Sequence, residues 1–98
     1  MKARQIEIHP EAFAEAIDWY AERSSRTPTA FMEELDKAIE SIREAPKRWP
    51  IFDQDCRRFP LFRFPYFVVY YEKSDSLVRI LAVAHGRRRP GYWRSRGR

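Results

Sequence analysis

A single cysteine, Cys56, stands in the 98 residues. With no intrachain partner it forms no disulfide, so a reducing cytoplasm is the expected home. The two histidines, His9 and His85, are far apart and make a structural zinc site improbable. Long hydrophobic runs are missing too. The longest, Phe67–Tyr71 and Ile80–Ala84, are far too short to cross a bilayer. The opening residues carry no pattern resembling a secretion signal. No internal repeat appears. Acidic residues are absent from the last fourteen positions, which hold six arginines.

What is present fits one packed domain. The 44% hydrophobic and 15% aromatic content is globular rather than disordered, and the length gives a core of modest reserve. Charge is unevenly divided. Residues 1–56 hold eight basic and twelve acidic side chains, a balance of −4, whereas residues 57–98 hold eleven and two, a balance of +9. An electrostatic working surface therefore belongs to the C-terminal half. Guanidinium groups suit phosphate and carboxylate, and the interleaved Tyr92 and Trp93 offer faces on which a base could stack. An anionic partner is expected, nucleic acid first among them.

The periodicity predicts elements in a definite order. Residues 3–8 alternate weakly and read as a short strand. His9-Pro10 opens a helix ending near Arg23, with Phe13, Ala16, Ile17 and Tyr20 along one stripe. Thr27-Pro28 reads as a cap followed by proline at the first turn of a second helix. That helix carries Phe31, Leu35, Ala38, Ile39 and Ile42 on one face and ends near Ala45, before Pro46. Residues 47–56 read as irregular. From Arg57 the period becomes two, predicting strands at 57–64, 66–72 and 77–85, with a turn at Lys73–Ser76. Pro60 should face an edge or bulge and Pro65 should lie between strands. The order is βααβββ, a helical hairpin packed on a largely antiparallel twisted sheet, and the fold class is α+β. The domain is expected over residues 1–93, with a frayed basic tail at 94–98.

The segments Arg57–Tyr70 and Ile80–Trp93 resemble the RelE/ParE superfamily, the toxins of bacterial type II toxin–antitoxin systems, often called plasmid stabilisation proteins. Arg63-Phe-Pro-Tyr66 and His85-Gly-Arg-Arg-Arg-Pro90 are the most specific pieces, and chain length and element order match as well. The resemblance implies a toxin that inhibits growth, with a cognate antitoxin, acidic and encoded nearby, as its partner. RelE-like members are metal-free mRNA endoribonucleases acting on the ribosome, while ParE-like members inhibit DNA gyrase. On the RelE-like side, Arg63 and Arg87 would clamp the scissile phosphate, with His85 or Tyr92 as acid/base groups. The Pro90-Gly91 insertion before Tyr92 departs from that motif, and the Phe-Pro-Tyr and His-x-Arg-Arg pieces lie closer to ParE-like members. ParE-like gyrase inhibition is therefore the leading expectation. A non-catalytic RNA-binding module or a degenerate toxin is a third reading. No cofactor and no metal is expected.

Each candidate also has a plainer reading. Preorganised arginines can stabilise a phosphorane by about 3–4 kcal/mol per donor, and a histidine with a reference pKa of roughly 6.5 can shuttle protons. Yet His85 can simply close a strand, and Arg63 can be a structural ion pair. Arg87, Arg88 and Arg89 are expected to contact an anionic target or an acidic antitoxin, although they could equally be a solvated run. Trp93 is expected to fold back on the core. Trp19, Phe67, Tyr70 and Tyr71 read as core or core-edge aromatics, and Cys56 as inert filler.

Overall fold

The computed structural model describes residues 4–23, 29–86 and 91–96. A short strand β1 (Gln5–Ile8) leads into helix α1 (Pro10–Arg23). His9 turns the chain between them: its N–H donates to the Ile80 carbonyl, and its ring Nδ1 accepts the Glu11 N–H at 3.2 Å. That ring satisfies one of the orphan donors at a helix start. Ala12 is fully buried on α1, while Phe13 is only half-buried. Phe13 packs against the same core cluster as Ala12. The side chains of Ala16, Trp19 and Tyr20, and the expected cap at Thr27-Pro28, lie outside the described residues.

Helix α2 (Thr29–Glu44) buries Phe31, Leu35, Ala38, Ile39 and Ile42. The predicted face is the observed one, because a 3.6-residue period leaves little choice of which side meets the sheet. A single 3-10 turn at Pro46–Arg48 follows. Tyr70, from the middle of the sheet, donates its hydroxyl to the Pro46 carbonyl at 2.6 Å and fastens this turn to the core.

The segment expected to be irregular contains a hairpin instead. Strands β2 (Ile51–Asp53) and β3 (Cys56–Pro60) pair antiparallel across Gln54-Asp55. Gln54 sits at φ 55°, the left-handed region that favours glycine. Strands β4 (Tyr66–Ser74) and β5 (Leu77–His85) form the long central hairpin. The sheet order is β1-β5-β4-β3-β2, parallel only between β1 and β5. The architecture is α+β, as expected, with one strand more. Pro60 pairs with Phe67 beyond the reach of β2, so its missing N–H faces an open edge, and Pro65 lies between strands.

A bulge at Leu81 decides which way the strand ends face. Tyr70 pairs with Ile80 but Val69 pairs with Ala82, so Leu81 is an extra residue. Tyr66, Val68, Tyr70, Val78, Ile80 and Val83 consequently share the face packed on the helices. Val69, Tyr71, Leu81, Ala82 and Ala84 share the opposite face with Cys56 and Trp93.

That second face is covered by the C-terminal turns at residues 91–96, where Trp93 is 1% exposed. The sequence points to fraying from residue 94. Arg94 and Arg96 are instead held. Arg94 bonds Asp53, and Arg96 donates to the Leu81 carbonyl at 3.2 Å and approaches Glu11 at 3.4 Å. These partners are remote in sequence, so no local pattern announces them. Gly97 and Arg98 lie outside the described residues.

Tyr70→Phe is expected to lower stability by about 1–3 kcal/mol at neutral pH, because the buried Pro46 carbonyl loses its donor. Burial pushes the Tyr70 phenol up to about 12, Arg57 opposing and Glu72 assisting. An unfolded tyrosine ionises near pH ~10. The contribution of Tyr70 is therefore complete below that pH and is lost as pH rises towards about 12. Urea titrations across this window should show a steeper alkaline loss for wild type than for Tyr70→Phe.

Candidate functional site

The β3–β4 loop at 61–65 and the end of β5 meet where β4 begins, and the C-terminal turns pack on Phe67 of β4. The loop is pinned at both sides. Leu61 N–H donates to the Tyr66 carbonyl at 2.9 Å, and Gly86 N–H to the Pro65 carbonyl at 2.9 Å. Phe64 folds inward and meets Phe31 edge-on at 5.2 Å.

The sequence places Arg63 in a strand, but β3 ends at Pro60 and Arg63 lies in the loop. A proline cannot donate to the ladder, and the chain turns away there. The Arg63 side chain is 76% exposed, with Nε 3.7 Å from Glu34 on α2. A pair this solvated contributes under about 1 kcal/mol.

His85 is the last residue of β5 and is half-buried. It pairs with Tyr66, whose ring it meets edge-on at 5.1 Å. His85 therefore belongs to the helix-packed face. Tyr92 packs with the other cluster, edge-on to Trp93 at 5.2 Å and under the Arg96 guanidinium at 5.1 Å. The two alternative acid/base candidates thus pack against different clusters, one on each face of the sheet. Arg87, Arg88 and Arg89 lie outside the described residues; in the chain they follow Gly86.

The sequence did not single out Asp53 or Arg58. Asp53 accepts the Trp93 indole N–H at 3.0 Å, Arg94 Nε at 3.1 Å and Arg94 Nη2 at 2.6 Å. Its carboxylate pushes the Arg94 guanidinium further towards the charged state, first by hydrogen bonding and then by charge attraction. The clasp fixes the C-terminal turns to β2.

Arg58, exposed on β3, lies over two rings, 4.9 Å from Phe52 and 5.3 Å from Phe67. Such contacts are worth roughly 0.5–1 kcal/mol each at the surface and hold the guanidinium in one place. The stack needs β2 and β4 on either side of β3, so it could be foreseen only with the β2–β3 hairpin in hand.

Cys56 is buried, and burial with the nearby Asp53 charge pushes its thiol up to about 11. A thiol so disfavoured as thiolate is a poor nucleophile at neutral pH. Among the described residues, no three His, Cys, Asp or Glu side chains converge as a metal site requires. No helix among them is long and apolar enough to cross a membrane.

Two helices with a five-stranded, mostly antiparallel sheet, together with the family match, define a type II toxin of the RelE/ParE superfamily. Over residues 6–90 the chain matches the family described as the ParE toxin of type II toxin–antitoxin systems, parDE, and it belongs to that family. No curated protein matches it. Membership implies a cognate antitoxin. The matched segment includes His85 through Pro90 but stops short of the turns carrying Trp93 and Arg94.

Proposed function

We propose that this toxin acts in the cytoplasm and arrests growth by inhibiting DNA gyrase, with Arg87, Arg88 and Arg89 contacting the target. The observation that carries this reading is the match to the ParE toxin family over residues 6–90. Proton transfer in phosphodiester cleavage needs acid and base within hydrogen-bond reach of the same reacting oxygens. Among the described candidates, His85 packs on Tyr66, Tyr92 lies under Arg96, and Arg63 stands in a solvated loop beside Glu34. Inhibition of an enzyme by surface contact asks for no such convergence. A basic segment between Gly86 and Gly91 supplies charge for it without chemistry.

Induction of the toxin alone is expected to abolish plasmid supercoiling and trigger the DNA-damage response, with mRNA 5′ ends as in uninduced cells. Replacing Arg87, Arg88 and Arg89 together by alanine should restore growth while the protein still accumulates. New 5′ ends within codons on translating ribosomes, with supercoiling intact, would establish the ribonuclease instead.

A further inference from the structure

An open groove of about 440 Å³ runs along the end of the sheet, bordered by Arg58, Leu61, Phe64, Pro65, Phe67 and Gly86. Leu61, Phe64, Pro65 and Phe67 give it apolar surface, and Arg58 is the charged side chain among its described lining residues. Among the described residues no carboxylate pairs with Arg58, whereas Arg57, Arg63, Arg79, Arg94 and Arg96 each approach one. The two rings beneath it, Phe52 and Phe67, fix the plane of the guanidinium and leave its donors to a partner. One residue on from Leu61, Phe62 is 97% exposed, an apolar ring kept in water at the cost of solvation.

We propose that this groove is the docking site for an acidic segment of the cognate antitoxin, which sets one carboxylate on Arg58 and one apolar side chain against Leu61, Phe64 and Pro65. The inference rests on the toxin reading and gives its partner a surface. Charge and shape together favour a peptide. A planar, preoriented guanidinium donates two parallel hydrogen bonds to a carboxylate, and the +9 balance of the C-terminal half draws an acidic chain towards it. Phe62 would be covered by the same segment.

The antitoxin, titrated onto purified toxin, is expected to bind Arg58→Ala at least tenfold more weakly than wild type. Arg58→Lys should fall between, keeping the charge and losing the planar fork. Arg48→Ala removes the same charge from another exposed arginine stacked on a ring, Trp49 at 5.6 Å, and should bind within twofold of wild type. Hydrogen exchange of the wild-type complex should show residues 61–67 protected by the antitoxin, a readout that needs no variant to fold. Equal weakening by Arg48→Ala and Arg58→Ala, or unprotected 61–67 in a tight complex, would overturn the proposal. So would protection of 61–67 by a single-stranded RNA dodecamer but not by the antitoxin. If no antitoxin binds the wild-type chain at all, the toxin reading itself fails, and the groove proposal falls with it.

Discussion

Trp93→Ala is expected to cost about 3–5 kcal/mol, the range for removing a buried aromatic from a core. The indole packs on Phe52 at 5.7 Å, Phe67 at 6.1 Å and Tyr92 at 5.2 Å, and its N–H bonds Asp53 at 3.0 Å. Alanine leaves a cavity between the C-terminal turns and the sheet, and the turns have little else apolar with which to hold that face. The loss should move the urea midpoint down by roughly 1–5 M, given slopes of about 1–3 kcal/mol per molar for small domains. Trp93→Phe keeps most of the ring contact and loses the bond to Asp53. It should cost about 2 kcal/mol, the usual worth of a hydrogen bond to a charged group. Equal losses for the two variants would mean that the Asp53 bond, and not ring packing, holds the turns in place.

Phe31→Ala is expected to cost a similar amount, about 3–5 kcal/mol, on the other side of the sheet. Phe31 is 0% exposed and packs on Phe64 at 5.2 Å and Tyr66 at 4.9 Å. It thereby joins α2 to the loop that borders the groove. Phe31 and Trp93 share none of these ring partners, so their losses should add within about 0.5 kcal/mol. A domain of this size holds roughly 5–15 kcal/mol in all. The double variant should therefore be largely unfolded without denaturant, which circular dichroism at 25 °C would register. A double variant whose loss falls short of the summed single losses by well over about 0.5 kcal/mol would show that the two faces compensate for each other.

Helix α2 and strands β4 and β5 were legible because their apolar periods are strong and uninterrupted. The β2–β3 hairpin was not. Its turn, Gln54-Asp55, carries neither the glycine nor the asparagine that usually marks one, although Gln54 adopts the backbone those residues favour. The apolar residues Phe59, Leu61, Phe62 and Phe64 run on past Pro60, so the pattern alone carries a strand through Arg63. The Leu81 bulge was hidden by the unbroken apolar run Ile80–Ala84, which has no phase to shift. That bulge helps set which face His85 occupies, and so the sequence alone could not separate His85 from Tyr92. The clasp of Asp53 on Trp93 and Arg94 joins residues 40 and 41 apart in the chain. Burial of Trp93 could be expected from its chemistry, but its partner could not. Arg58 was overlooked in favour of the arginine run, since only tertiary pairing puts two phenylalanines beneath it.

The central claim is that this ParE-family toxin works by contact with gyrase and not by cutting RNA. It is tested most directly by adding the purified toxin to gyrase, ATP and relaxed plasmid, beside a translating-ribosome reaction with defined mRNA. Loss of supercoiling at near-stoichiometric toxin, with the mRNA intact, is the expected result. Undiminished supercoiling alongside mRNA cut at codons would contradict it.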